Sequence, residues 1–138
     1  MTKTISIMLI DDNEFDLFLH EKFISNMGLA NDILKFEYAD QALNFLTENE
    51  AQNWPDLILL DIQMPVMDGF DFLAKYQNLP DEKRRKTKIV MVSSSLDIND
   101  LRRAKENPNV LDLLSKPLNM NELLNVLEQN NSDSNLNS

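Results

Sequence analysis

The 138-residue chain contains no cysteine and a single histidine. The absence of cysteine excludes disulfides, cysteine-ligated zinc and cysteine nucleophiles, and it is typical of a reducing compartment. The chain also lacks a long apolar run, since the N-terminal run 5–10 stops at Asp11 and Asp12. A membrane span needs about 20 apolar residues, and a secretory signal needs a longer apolar region and a small-residue cleavage site. We therefore expect a cytoplasmic protein with no membrane contact.

Positive charge is scarce in the first half of the chain. The formal net charge is −10, and residues 1–69 hold 13 acids and 3 bases, whereas residues 70–138 hold 10 of each. This balance argues against direct nucleic-acid binding, which needs basic side chains to displace counterions from phosphates. The densest basic run, 83–86, directly follows two acids and is expected to be a solvated loop. The acidic excess of the first half indicates a local need for carboxylates.

The length and composition indicate one globular domain. The hydrophobic fraction of 43% and the charged fraction of 26% are ordinary for such a domain. Residues 130–138 have almost no apolar side chains to bury. We therefore expect a domain at residues 1–129 and a disordered C-terminal tail at residues 130–138.

Short apolar runs alternate with amphipathic stretches along the chain. The runs predict strands near residues 5–10, 34–38, 56–61, 89–92 and 110–114. Helical spacing and capping residues predict helices near residues 15–27, 40–46, 70–77, 97–105 and 119–127. In the first helix, Phe15, Phe18 and Phe23 supply the apolar spacing, and His20 is expected to be solvated. Five strands alternating with five helices predict an α/β fold with a doubly wound parallel sheet.

Polar residues that can bind an ion or take part in a reaction follow four of the five predicted strands. Asp11 and Asp12 follow the first strand, Asp61 ends the third, Ser93 follows the fourth, and Lys116 follows the fifth. Ligands of doubly wound sheets bind beyond the carboxyl ends of the strands. These side chains are therefore expected to meet at one edge of the sheet.

Three of these residues are carboxylates, which repel one another when they are close. Two unit charges about 4 Å apart cost roughly 4 kcal/mol at an effective dielectric constant near 20. A divalent cation relieves this repulsion, and ligation by oxygen alone favours Mg²⁺. The sequence thus predicts a magnesium site that contains Asp11, Asp12 and Asp61.

The whole set resembles the receiver domain of two-component response regulators. The resemblance rests on the strand-end residues together with Met64-Pro65-x-x-Asp68-Gly69 and Lys116-Pro117, and it covers about residues 4–128. Each motif is weak alone, but the combination is specific. The resemblance is to single-domain regulators of the chemotaxis type, and it implies a flavodoxin-like sheet in the order 2-1-3-4-5.

The resemblance also implies how Mg²⁺ is held. Asp12 would bind the ion directly and Asp11 through water. Asp61 and the backbone carbonyl of Gln63 would complete the ligands from the protein.

Asp61 would be the phosphoacceptor, forming an acyl phosphate with a phosphoryl group from a phosphohistidine. Lys116 would pair with Asp61 and then hold a phosphoryl oxygen, and the Ser93 hydroxyl would swing to the phosphoryl group. The Lys116–Pro117 peptide bond would be cis. Leu113 stands where the family usually has tyrosine or phenylalanine, which implies a less hinged output surface.

The expected function is that of a stand-alone receiver, since only about ten residues follow the last predicted helix. It would take a phosphoryl group from a histidine kinase or a phosphotransfer protein, and then bind an unknown output protein through residues 97–128. Such a protein modifies itself and is not an enzyme. One alternative is a Mg²⁺-dependent phosphohydrolase, but those enzymes usually carry a second aspartate where this chain has Gln63. Another is a phosphate-independent scaffold, which Leu113 favours.

Overall fold

A five-stranded parallel sheet forms the centre of the protein. A computed structural model describes the backbone of residues 4–136 and the side chains of residues 4–130. The sheet order is β2-β1-β3-β4-β5, and all neighbouring strands are parallel. The strands are β1 (Ile5–Ile10), β2 (Ala30–Phe36), β3 (Leu57–Asp61), β4 (Lys88–Ser93) and β5 (Val110–Ser115). The expected flavodoxin-like fold and strand order are confirmed.

Helices connect the strands. They are α1 (Glu14–Asn26), α2 (Ala39–Glu48), α3 (Gly69–Tyr76), α4 (Asp81–Arg84), α5 (Ile98–Glu106) and α6 (Met120–Leu136), with a 3₁₀ turn at Ala51–Asn53. The five long helices are those expected from the sequence. The expectation of five missed α4, because a single helical turn is too short to produce an apolar period.

Side chains cap several of these helices. Asp97 caps α5, and Asn119 caps the first turn of α6, as the sequence predicts. The expected cap of α2 was wrong. The N-cap is Tyr38, and Asp40 lies inside the first turn, where its carboxylate accepts a hydrogen bond from the N–H of Gln41.

The strands read as continuous apolar runs because both faces of the sheet are covered. One face of β1 contributes Met8 and Ile10 to a core that includes Trp54 and Phe72. The other face contributes Ile7 and neighbours to a second core. The indole N–H of Trp54 donates to the Leu46 carbonyl at 2.9 Å, which satisfies the polar end of this buried side chain.

The buried face of α1 is not the one indicated by its phenylalanines. Leu17, His20 and Ile24 are buried, whereas Phe15 and Phe18 are 67% and 55% exposed. The apolar residues of α1 are distributed around its circumference, so their spacing predicts a helix without identifying the face that meets the sheet. The expectation that His20 is solvated was therefore wrong.

The basic run 83–86 is also more ordered than a solvated loop. The ammonium of Lys86 donates to the carbonyl oxygens of Trp54, Gln52 and Ala51 at 2.6, 3.2 and 3.4 Å. The ammonium of Lys83 reaches another carbonyl of the same segment at 3.0 Å. These lysines therefore satisfy the carbonyl groups that precede β3.

The C-terminal helix continues past the expected domain boundary. Its backbone is helical through Leu136, whereas the sequence places the boundary at residue 129. Residues 137 and 138, and the side chains from 131 onward, lie outside the described part. The expected disordered tail at residues 130–138 therefore stays a prediction.

Candidate functional site

The three predicted carboxylates meet at the carboxyl edge of the sheet. Asp11 follows β1, and Asp61 is the last residue of β3, the neighbouring strand. One carboxylate oxygen from each of Asp11, Asp12 and Asp61 lies within 4.8 Å of the others. Asp11 and Asp61 are only 2% and 3% exposed, while Asp12 faces solvent. The structure thus brings together the acids that the sequence separates by about fifty residues.

Lys116 enters this cluster from the end of β5. Its ammonium lies 2.7 Å from Asp11 Oδ2, 2.9 Å from Asp16 Oδ2 and 3.3 Å from Asp61 Oδ1. Its backbone N–H donates to the Ser93 carbonyl at 2.8 Å, which continues the pairing of β4 with β5. The following peptide bond to Pro117 is cis, as the resemblance implies. The predicted ion pair between Lys116 and Asp61 is present.

Asp16 is the site residue that sequence reasoning missed. It lies in the first turn of α1, and it binds Lys116 across 100 positions of the chain. One signal was available, since Asp16 follows the capping residue Asn13 by three positions and therefore lies in the helical turn that begins beside Asp11. The sequence alone does not show that a lysine reaches it.

Asn13 connects Asp11 to α1. Its backbone N–H donates to Asp11 Oδ1 at 3.0 Å, and its side-chain oxygen accepts from the N–H of Asp16 at 3.0 Å. The two oxygens of Asp11 therefore have different partners, Asn13 on one side and Lys116 on the other. This cap fixes the start of α1 relative to the carboxylates.

The turn after β3 approaches the backbone of Asp61 closely. The N–H of Gly69 donates to the Ile62 carbonyl at 2.8 Å. A Cβ atom at residue 69 would lie 2.6 Å from the backbone oxygen of Asp61, so a side chain would displace that strand end. Asp68 caps α3 through a capping box with Asp71, which fixes the far side of the turn. The glycine of this motif is thus required sterically.

Gln63 and Ser93 flank the cluster. Gln63 is exposed two residues after Asp61, and the role of its carbonyl as a metal ligand stays a prediction. Ser93 ends β4 and is fully buried. Its hydroxyl donates to the Ser95 carbonyl at 2.7 Å and accepts from the Ser95 N–H at 3.1 Å. The hydroxyl is therefore bound to its own loop.

The cluster is electrostatically unbalanced without a cation. Burial and the neighbouring charge of Asp11 raise the pKa of Asp61 to about 7, although Lys116 opposes the shift. Burial alone would lower the pKa of Lys116, but its hydrogen bonds to Asp11 and Asp16 raise that pKa above its ordinary value. The lysine therefore stays protonated, and the carboxylates still carry excess negative charge.

His20 lies one helical turn beyond Asp16 and is 2% exposed. Burial lowers its pKa, so the imidazole is neutral at pH 7. Within residues 4–130, its Nε2 atom has no hydrogen-bond partner.

The donor set fits Mg²⁺. Ligand oxygens on opposite sides of a Mg²⁺ ion lie about 4.2 Å apart, given metal–oxygen distances near 2.1 Å. A cluster whose oxygens lie within 4.8 Å of one another can close on one ion through small side-chain rotations. All of these donors are hard oxygen atoms, and an aqueous side is open at Asp12 for water ligands.

Comparison with known proteins identifies the class to which this fold and site belong. The model of the response regulator receiver domain matches residues 7–128. The crystal structure of a response regulator receiver protein from Dyadobacter fermentans DSM 18053 is 37% identical, with a TM-score of 0.82, over 90% of this chain and 95% of that one. The chain belongs to the response regulator receiver family. It is a signalling module of two-component phosphorelays rather than an enzyme.

Two curated relatives illustrate the contexts in which the domain occurs. The probable methanogenesis regulatory protein FilR2 of Methanothrix harundinacea (strain 6Ac) is 29% identical over 89% of this chain and 79% of its own length. Hybrid signal transduction histidine kinase D of Dictyostelium discoideum is 30% identical over 96% of this chain, which spans only 9% of that protein. In the described part of the chain, none of the helices is long and apolar enough to cross a membrane.

Leu113 occupies the position where the resemblance would place an aromatic residue. It is buried in the core on one face of the sheet and is 7% exposed. Position 113 therefore holds a packed aliphatic side chain, which cannot report phosphorylation by turning an aromatic ring between core and solvent.

Proposed function

We propose that Asp61 accepts a phosphoryl group from the phosphohistidine of a histidine kinase or a phosphotransfer protein. A carboxylate oxygen of Asp61 forms a bond to phosphorus while the bond between phosphorus and the histidine nitrogen breaks. The departing imidazole takes up a proton from solvent. The observation that carries this proposal is the convergence of Asp11, Asp12, Asp61 and Lys116 at the sheet edge.

Asp11, Asp12, Asp61 and the carbonyl of Gln63 would hold Mg²⁺. When bound, the ion supplies positive charge that offsets the charge of the phosphoryl oxygens. The carboxylates of Asp11 and Asp12 keep that charge beside Asp61. With its pKa raised to about 7, Asp61 is partly protonated at neutral pH in the metal-free site, and the protonated form is a poor nucleophile.

Lys116 would hold one phosphoryl oxygen of the acyl phosphate through a charge-assisted hydrogen bond. The Ser93 hydroxyl would donate a hydrogen bond to another phosphoryl oxygen. That hydrogen bond requires the Ser93 hydroxyl to leave Ser95, whose carbonyl and N–H bind it in the unphosphorylated protein. The loop at residues 94–97 would then rearrange.

Residues 97–128 are the expected output surface, and they begin where this loop ends. Signalling would therefore consist of a change in partner binding at α5, β5 and α6. The cytoplasmic location expected from the sequence goes with this proposal.

A phosphorylation assay tests the proposal directly. The protein is incubated with Mg²⁺ and acetyl phosphate, and intact mass is compared for the wild type, Asp61→Asn and the exposed control Asp32→Asn. We expect a phosphoryl adduct on the wild type and the control, none on Asp61→Asn, and none on any protein in EDTA. An adduct that persists in Asp61→Asn would refute Asp61 as the phosphoacceptor.

Beryllofluoride separates a switch from a scaffold. It mimics the phosphoryl group on an aspartate, and NMR chemical shifts report where the chain responds. We expect changes at residues 94–97 that extend into residues 97–128. Changes confined to the carboxylate cluster would favour the phosphate-independent scaffold, which the packed Leu113 supports.

A further inference from the structure

Asp16 brings a third carboxylate to Lys116 that does not belong to the predicted metal site. The metal-compatible cluster comprises Asp11, Asp12 and Asp61. Asp16 approaches the lysine from the first turn of α1, and its side chain is 25% exposed. Its negative charge is therefore directed at the ammonium group.

The geometry shows where the ammonium is held. A lysine has three N–H donors, and here three carboxylates surround it. The contacts to Asp11 and Asp16 are 2.7 and 2.9 Å, whereas that to Asp61 is longer, at 3.3 Å. The two shorter contacts are also its side-chain hydrogen bonds. The ammonium is thus drawn toward α1 and away from the phosphoacceptor.

The position of Asp16 is itself fixed. Asn13 caps α1 by accepting the N–H of Asp16, and the positive end of the helix dipole favours a carboxylate in this turn. Lys116 is fixed at its other end by backbone pairing with Ser93. The lysine can therefore adjust only through its side chain.

We propose that Asp16 is a positioning residue that retains the Lys116 ammonium beside α1 in the unphosphorylated protein and competes with the phosphoryl group for it. This inference rests on the proposed function of Asp61. During transfer from acetyl phosphate, an oxygen of Asp61 bonds to phosphorus and acetate leaves. Lys116 transfers no proton, but its ammonium shifts from Asp16 toward a phosphoryl oxygen. Asp16 thereby sets the balance between the free and the phosphorylated forms.

The test compares Asp16→Asn with Asp16→Glu and the control Glu14→Gln. Asn keeps the size of Asp16 but removes its charge, and Glu restores the charge. Glu14→Gln removes one charge from the same helical turn, where Glu14 faces Glu37 rather than Lys116. We expect Asp16→Asn to phosphorylate about three- to tenfold faster with acetyl phosphate and to lose the phosphoryl group more slowly by a similar factor. Asp16→Glu should return both rates toward those of the wild type.

A second readout needs neither phosphoryl group nor metal. NMR of the Lys116 side-chain ammonium in EDTA at a fixed pH reports its hydrogen-bond partners. We expect the Nζ and Hζ chemical shifts of Lys116 to change in Asp16→Asn and to stay unchanged in Glu14→Gln. If the wild type forms an adduct but Asp16→Asn matches Glu14→Gln in both rates and in these chemical shifts, this inference is wrong and the proposed function stands. If the wild type forms no adduct, the proposed function fails and the inference with it, even if the chemical shifts show the contact.

Discussion

Replacing Asp61 with asparagine is expected to stabilise the metal-free protein, although it removes the proposed phosphoacceptor. Burial beside Asp11 raises the pKa of Asp61 from 3.8 to about 7. Between these two values, the unfolded chain has an ionised Asp61 while the folded chain keeps it protonated. The unfolded state then binds fewer protons, so this residue makes the free energy of unfolding fall as the pH rises from about 4 to 7. Above pH 7 the penalty is constant.

The size of the effect follows from the shift. One pKa unit corresponds to 1.36 kcal/mol, so a shift of about 3 units costs about 4 kcal/mol at pH 8. At pH 5 only the first unit or so counts, and the cost is about 1.6 kcal/mol. An asparagine of the same size avoids the charge, and its carbonyl can still accept from Lys116. We therefore expect a gain of about 2–4 kcal/mol at pH 8 and a smaller gain at pH 5.

Urea unfolding in EDTA at pH 5 and pH 8 measures this difference. Asp32→Asn is the matched control, because it removes the same charge from an exposed position on β2. The pH dependence of groups that do not interact with residue 61 cancels when each variant is compared with the wild type. Mg²⁺ should narrow the gap, since a ligand at 100 times its Kd stabilises by about 2.7 kcal/mol. A gain no larger than that of Asp32→Asn, or an equal gain at both pH values, would refute the electrostatic reasoning.

Three further changes test the framework around the site. Lys86→Met removes hydrogen bonds to three carbonyls before β3 and should lower the free energy of unfolding in urea by about 1 kcal/mol. An unchanged free energy would show that water replaces the ammonium. Gly69→Ala places a Cβ atom against the Asp61 backbone and should lower the free energy of unfolding by about 1–3 kcal/mol and the adduct yield in the acetyl phosphate assay. Full stability and yield would contradict the steric requirement. Asp97→Ala removes the cap of α5 and should lower the free energy of unfolding by about 1 kcal/mol, with faster amide exchange confined to that helix. Faster exchange throughout the sheet would argue against a local role.

In the unphosphorylated protein, Ser93 and Lys116 differ in whether they already contact the carboxylate cluster. Ser93 is bound to its own loop, and Lys116 is already inside the carboxylate cluster. Phosphorylation would therefore have to break a local hydrogen bond at one residue and redirect an existing ion pair at the other. With Leu113 packed in the core, the output would depend on the loop at residues 94–97 rather than on an aromatic rotamer.

Much of the fold was accessible from local patterns. The run 5–10 becomes β1 because an all-parallel sheet buries both sides of each strand, and Asp11 follows it directly. The same logic places Asp61 and Lys116 at strand ends. Since the carboxyl ends of parallel strands lie at one edge, the parallel arrangement and the strand ends together predicted the cluster.

Local patterns failed where more than one arrangement satisfied them. α1 carries apolar side chains around its circumference, so periodicity did not identify Leu17, His20 and Ile24 as the buried face. The basic run 83–86 looked solvated because charged side chains usually are. Its lysines instead bind carbonyls of a segment that is distant in sequence.

The sequence by itself determined the strands, their polar ends and hence the family-type site, because these depend on residue type and short-range period. Only the tertiary structure decided which carboxylates share the lysine. Asp16 lies 100 positions from Lys116, and no local period relates a helix turn to a strand end at that separation. The contact exists because the packing of α1 against the sheet and the pairing of β5 with β4 bring the two groups to one edge. Hydrogen bonds of 2.7–2.9 Å depend on that packing.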